Sequence, residues 1–219
     1  MKKLKWIFLL IPIISLNAQS NLDEEEIIIQ NMCDYLNKNK LQNDSIRVEN
    51  ANVNYLYPYL EKQNESDING IIDRIYYRYQ KQCPEFMAIL DKVDPLDTNE
   101  ATYLNQPEKS VISSKGLREF INHENYYYLF NKEITNVEIS NGEWVESFED
   151  GTFSKTKLEW LNEHSFKLIF IESNNIMKNA YSRVGEEYYY EIIKKEENYF
   201  ILQTPNNQNK YLQFKLYIK

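Results

Sequence analysis

Two histidines, His123 and His164, and two cysteines, Cys33 and Cys83, are the first residues to weigh for chemistry. A protein metal site needs several nitrogen, sulfur or oxygen ligands at short, fixed spacings. Neither histidine has a partner at i+4, and a lone histidine in a turn (His164) or beside a strand start (His123) reads as a polar residue. Ser154 and Lys157 match Ser-x-x-Lys by letter. That pair works when a helical turn brings lysine to serine, whereas positions i and i+3 of a strand face opposite ways, and the pattern here is a strand. Acids cluster at Glu143, Glu146, Glu149 and Asp150. Paired carboxylates cleave glycosidic bonds and carboxylate loops hold calcium, but the glycine and odd spacings of a calcium loop are absent. These four are read as solvated acids. No glycine-rich phosphate loop occurs in the 219 residues, so neither a catalytic residue nor a cofactor is expected.

The cysteines lie 50 positions apart, too far for a redox Cys-x-x-Cys, and two thiols alone do not make a structural zinc site. In an oxidising compartment an isolated pair of this kind reads as one disulfide, with two free thiols or one reactive thiol as the alternatives. The compartment is suggested by the first eighteen residues. Lys2, Lys3 and Lys5 precede an apolar run from Trp6 to Leu16, and a polar stretch from Asn17 to Ser20 follows. That is the order of a secretory signal, with cleavage expected after Ala18. Eleven residues at helical rise reach roughly 16 Å, about half a bilayer core, so the run is too short to span a membrane. With no second long apolar run, no transmembrane segment is expected in the mature chain, which is placed in the periplasm or outside the cell. Removing residues 1–18 takes away three lysines and no acid, so the formal charge of −8 becomes −11. Such an acidic chain repels polyphosphates, which disfavours nucleic acid as a partner.

The hydrophobic rhythm divides the chain. From 19 to 92 it is helical. Asn21 and Glu24 have capping-box spacing ahead of Ile28, Met32, Tyr35 and Leu36. A weaker helical segment over 45–62 is interrupted by Pro58. Ile68, Ile71, Ile72, Ile75, Tyr76 and Tyr79 then form a stripe ending at Cys83, and Pro84 suits the first turn of a fourth helix. Residues 93–116, with two prolines and many small polar residues, read as a linker. From 117 to 219 the period becomes two. Asn141-Gly142 and Asp150-Gly151 are hairpin signals. Strands are expected at 133–140, 143–149, 152–161, 166–173, 187–195, 198–204 and 210–218, with one more from Tyr126 to Phe130. A polar insert is expected from Ser173 to Gly185. The fold class is α+β: a small helical bundle followed by an antiparallel up-and-down β-barrel or half-barrel of lipocalin-like form.

Within that barrel, Trp160, Phe166, Phe170, Tyr188, Tyr190, Phe200 and Phe214 are placed on one concave face. Such a face holds a small apolar ligand or fills the barrel as core. Tyr189, Tyr199, Tyr211 and Tyr217 are expected outside, as a partner surface or as β-formers.

The stretch from Lys157 to Leu168, centred on Trp160 with Phe166 following, resembles a Trp-containing hairpin of uncharacterised exported proteins of the Bacteroidetes type. The stretch from Tyr79 to Phe86, around Cys83, is similar to the end of their helical domain, whose earlier cysteine corresponds to Cys33. Many of those proteins carry a cysteine where His164 stands. The resemblance implies a cysteine-stapled helical domain, a lipocalin-like β domain and export, and no activity comes with it.

The resulting expectation is an exported non-enzymatic binding protein whose β domain takes a small apolar ligand or an envelope protein. An envelope interaction subunit with a filled barrel is the alternative, and a hydrolase with carboxylates converging near Glu159, Glu172 or Glu191 is the third.

Overall fold

The computed structural model describes residues 15–130 and 132–219, and side chains from residue 24 onward. Most of the expected signal segment, residues 1–14, lies outside the described residues. Helix α1 (Ser15–Lys38) passes through Ala18 and Asn21, so Asn21 is not a helix cap as its spacing implied. The upstream residues simply extend the helix. Helix α2 (Asp44–Ala51) leads through a π-helical turn at Asn52–Leu56 into α3 (Tyr57–Leu60). The π turn is how the chain accommodates Pro58, which cannot donate to the turn before it. A 3₁₀ turn at Glu65–Asp67 precedes α4 (Ile68–Gln82), and Cys83 separates α4 from α5 (Pro84–Val93).

Ile29, Met32, Leu36, Ile71, Ile75, Tyr79 and Phe86 pack into one buried core. The Cys33–Cys83 disulfide crosses it, with Cα atoms 5.5 Å apart. Arg47, 3 % exposed, bonds the Leu36 carbonyl at the end of α1, Asp44 and Glu85. It adds a second hydrogen bond to a carbonyl in the last turn of α1 and ties α2 to α1 and α5.

The stretch 93–116 carries more than the linker expected of it. Strand β1 (Ala101–Leu104) lies there, and helix α6 (Ser114–Asn122) begins within it. The Ser113 hydroxyl accepts from the Gly116 amide as an N-cap. Eight strands follow: β2 (Asn125–Phe130), β3 (Glu133–Ser140), β4 (Glu143–Ser147), β5 (Phe153–Trp160), β6 (Ser165–Ser173), β7 (Glu187–Lys195), β8 (Tyr199–Pro205) and β9 (Tyr211–Ile218). Each pairs antiparallel with the next, and β9 pairs back with β2 through Tyr126↔Ile218 and Tyr127↔Tyr217. The half-barrel alternative is thereby settled as a closed eight-stranded barrel. The other half of that edge of β9 is taken by β1, Ala101↔Phe214 to Leu104↔Tyr211. A bulge between Ile192 and Lys194 turns both Ile192 and Ile193 into buried positions. Inside the expected polar insert the chain forms helix α7 (Ile176–Tyr181), capped by the Asn175 side chain on the Lys178 amide.

Both Asn-Gly and Asp-Gly signals are hairpins. Asn141 and Gly142 have φ of 53° and 76°, the two positive values of a type I′ turn. Gly142→Ala is expected to cost about 1 kcal/mol, since an L side chain in this backbone region is strained even though the added Cβ meets nothing. Urea denaturation at constant m-value would measure it.

The two halves meet through α7. Helix α4 packs along it, and Arg78 donates to the Tyr181 carbonyl (2.9 Å) and to both oxygens of Glu186 (3.0 and 2.5 Å). Lys81 also pairs with Glu186 and lies 2.6 Å from the Tyr188 hydroxyl. Glu26 on α1 joins from the other side, 2.9 Å from Arg78 and 3.4 Å from Arg183.

Candidate functional site

Strand alternation sorts the barrel interior into two storeys. At one end the walls are Tyr126, Phe166, Ile192, Phe200 and Leu216, each fully buried. Phe120 from α6 plugs this end, with ring centroids 5.1 Å from Phe200, 5.4 Å from Tyr126 and 6.0 Å from Phe166. The Tyr126 hydroxyl donates to the Phe120 carbonyl at 2.8 Å and locks the plug. This storey is solid core.

The other end lies under α7 and has a different composition. Inward-facing positions there are Tyr128 on β2, Thr135 on β3, Glu146 on β4, Ser154 and Thr156 on β5, Tyr188 and Tyr190 on β7, and Phe214 on β9. Thr135, Ser154 and Thr156 are buried, whereas Tyr128, Tyr190 and Phe214 keep accessible surface. Lys178 of α7 reaches in and pairs with Glu146 at 2.7 Å, their side chains 25 % and 13 % exposed. The Tyr128 hydroxyl donates to the second Glu146 oxygen at 2.8 Å and lies 3.3 Å from the Lys178 ammonium. Rings and charges here face inward yet keep some accessible surface, and this end of the barrel is polar where the opposite end is apolar.

The electrostatics of this end of the barrel follow from burial and pairing. Burial pulls the Lys178 ammonium down, but the Glu146 carboxylate outweighs it and holds the group above the ordinary lysine range. Burial raises both Tyr128 and Tyr190, and the Glu146 charge adds to it, so both phenols stay protonated at neutral pH. Glu146→Gln is expected to cost about 2 kcal/mol, below the range for a fully buried pair because part of Lys178 meets solvent. Lys178→Met should cost a similar amount. The double variant should cost less than the sum of the two in a urea-denaturation cycle, and strict additivity would show that the pair is not coupled.

The other residues singled out in the sequence fall as follows. Phe166, Phe170, Tyr188, Tyr190 and Phe200 face inward, Phe166 and Phe200 belonging to the solid storey. Phe214 lies edge-on to Tyr128 and Tyr190 at 6.0 and 6.3 Å. Trp160 sits at the rim, 41 % exposed, with its ring 5.4 Å from Phe166. Ser154 is buried while Lys157 points out to Glu159, so the two lie on opposite faces. His123 Nε2 lies 2.7 Å from the Asn125 carbonyl, and His164 lies 3.3 Å from Glu191. Glu159 bridges Lys157 and Lys167 on the outer surface, Glu191 faces His164, and Glu172 is exposed. These three carboxylates do not converge on a cleft. No cluster of three or more metal-ligating side chains forms among the described residues.

The acidic cluster departs from the solvated surface expected of it. Glu143, Glu149 and Asp150 are surface groups, but Glu146 is not solvated: it shares the inward phase of Trp144 two positions earlier. That i+2 relation was the available signal. Its partner Lys178 carried none, since a lysine in a polar insert has no strand phase to betray it.

A separate concavity of about 330 Å³ lies on the helical half, lined by Glu25, Tyr59, Gln63, Asp67 and Arg74 among others. Its floor is the Glu25–Arg74 pair, 2.6 Å at its shortest, which joins α1 to α4 across the bundle. No family model, curated protein or solved structure matches the chain. The chain is an α+β protein with a disulfide-crossed helical half and a closed barrel, compatible with a lipocalin-like binding fold. Among the described residues no helix is long and apolar enough to cross a membrane.

Proposed function

We propose that this chain is an exported, non-enzymatic binding protein that holds a small ligand in the barrel recess under α7. The observation that supports it is the Glu146–Lys178–Tyr128 group facing inward at one end of the barrel. A protein that needed only a stable barrel would fill both ends with apolar side chains, as this one does under Phe120, because charged groups lose hydration on burial. Strained or costly polar groups in a concave site are a common mark of function. Export is supported by the charged-apolar-polar order of residues 1–20 and by the disulfide, a bond that persists in oxidising compartments. The resemblance to exported Bacteroidetes-type proteins agrees with that placement.

Native mass spectrometry of protein purified from its own host tests the proposal. A small-molecule adduct that disappears in Lys178→Met would support it. Protein carrying a protein partner and no small molecule would replace it with the reading that the densely packed storey under Phe120 favours, an envelope interaction subunit.

A further inference from the structure

We propose that the concavity of the helical half, between α1, α3 and α4, is a second binding site, and that it takes a small organic cation: an ammonium group on a short carbon stem. The site is independent of whatever the barrel holds. At about 330 Å³ the concavity falls at the lower end of the range for ligand pockets, which suits a small molecule. Three features carry the assignment.

The first is a hydroxyl without a partner. Tyr59 on α3 is 4 % exposed and forms part of the wall. Its hydroxyl makes no hydrogen bond among the described residues, and native structures rarely keep a buried polar group unpaired. The Tyr79 hydroxyl is also unpaired but is enclosed in the core, whereas that of Tyr59 is open to the concavity. Gln63 stands nearby and donates its amide nitrogen to the Tyr59 carbonyl at 3.4 Å, which leaves its side-chain oxygen as a further acceptor.

The second is charge. Of the charged groups lining the concavity among the described residues, two are carboxylates and one is a guanidinium. The guanidinium is already matched. Arg74 Nε lies 3.2 Å from both oxygens of Glu25, and Nη2 lies 2.6 Å from one of them. Asp67 has no such partner. Its carboxylate does not cap α4 and accepts only the Ser66 hydroxyl, at 3.0 Å. The field at Tyr59 has the same sign: burial and the Glu25 and Glu24 charges push the phenol up, against a weaker pull from Arg74. An anion is repelled from such a site and a cation is drawn to it. An ammonium brings three donors and no acceptor, the complement of the Tyr59, Gln63 and Asp67 oxygens. Ile71, buried in the wall, offers an apolar surface to a carbon stem.

The third is a glycine with no structural reason to be one. Gly70 is the third residue of α4, and its φ is not positive. A Cβ added there would meet nothing nearer than Arg74 Nη1 at 3.6 Å, an ordinary contact. Alanine would fit and would favour the helix. What glycine provides at this position is open space in the wall of the concavity.

The test titrates the ¹⁵N-labelled full chain, in its oxidised form, with n-butylammonium, n-butanol and butyrate, and follows amide chemical shifts. Butylammonium is expected to give saturable shifts at Gly70 and Ile71, and to bind about tenfold tighter than butanol. Butyrate should give none. Tyr59→Phe, which keeps the buried ring, should weaken butylammonium about tenfold, the scale of one hydrogen bond. Asp67→Asn should weaken it about threefold, the scale of an exposed ion pair. Gly70→Ala should raise the melting temperature by about 2–4 °C and still weaken binding, a combination that a purely structural role does not produce. Equal binding of butanol and butylammonium overturns the requirement for a cation, and tighter binding of butyrate reverses it. Unchanged affinity in Tyr59→Phe overturns the role of its hydroxyl. Absence of saturable shifts at Gly70 and Ile71 with all three probes, or shifts confined to barrel residues such as Tyr128, overturns the site.

Discussion

Replacing both cysteines, C33A/C83A, is expected to destabilise the protein by about 4 kcal/mol and to lower its melting temperature by roughly 8–16 °C. The bond closes a 50-residue loop between α1 and the α4–α5 junction, and the loop-closure entropy it removes from the unfolded chain gives that magnitude. Both residues are buried, Cys83 completely, so the two alanines also leave a small void among Leu36, Tyr79 and Phe86. Thermal unfolding followed by circular dichroism, with and without reductant, checks this. Wild-type protein should move towards the variant when reduced, and the variant should not respond to reductant. A variant as stable as the oxidised wild type would mean the helical half does not depend on its staple.

The second large effect is expected at Glu186, where two cations, Arg78 and Lys81, and a backbone amide converge. Burial pushes its carboxyl up, but hydrogen bonds from Arg78, Lys81 and the Arg183 amide outweigh that and hold it at about 2, against an ordinary value of 4.5. Since the folded value is depressed, the stabilisation is complete above the unfolded value and disappears as pH falls through the folded one. The difference corresponds to about 3 kcal/mol, present at neutral pH and lost progressively between pH 4.5 and pH 2. Glu186→Gln should therefore be about 3 kcal/mol less stable than wild type at pH 7 by urea denaturation. The gap between the two should close across that acid window. A gap that stayed constant down to pH 2 would show that the carboxylate charge is not what holds α4 to the barrel.

The fold was legible to different degrees for identifiable reasons. Two Asn/Asp-Gly hairpins and period-two runs located β2 to β9 within one or two residues, because a sheet with one apolar face writes its phase directly into alternation. The same logic failed for β1, whose Ala101–Leu104 is too short to show alternation and is held by pairing with β9, a partner more than a hundred residues away. Helices α6 and α7 lie outside the expected helices because each is short, nine and six residues: the apolar face of α6 repeats over little more than two turns before it meets the barrel, and α7 packs on α4. Phe120 falls at the start of the range expected to be sheet, yet it sits on α6 and is the plug of the barrel. The candidate site was half visible. Its aromatic walls, Tyr190 and Phe214 among them, follow from alternation. Its polar group did not, since Glu146 sits in a run of acids that reads as solvated surface and Lys178 comes from outside the sheet. The Arg78–Glu186 contact joins residues 108 positions apart, and no local pattern announces such a pair.

Strand β9 has one further implication, for the order of assembly. It pairs with β8 along one edge and with both β1 and β2 along the other, and it follows all three in sequence. The barrel cannot become a ring until β9 has been made, so on a growing chain β2 to β8 wait as an open sheet with two unsatisfied margins. The helical bundle has no such wait, for its core and its disulfide are complete by Val93. Synthesis therefore delivers a finished helical unit first, and with it the α4 surface on which α7 later settles. Until β9 arrives, the open margins of the sheet are the part of this molecule most exposed to pairing with other chains.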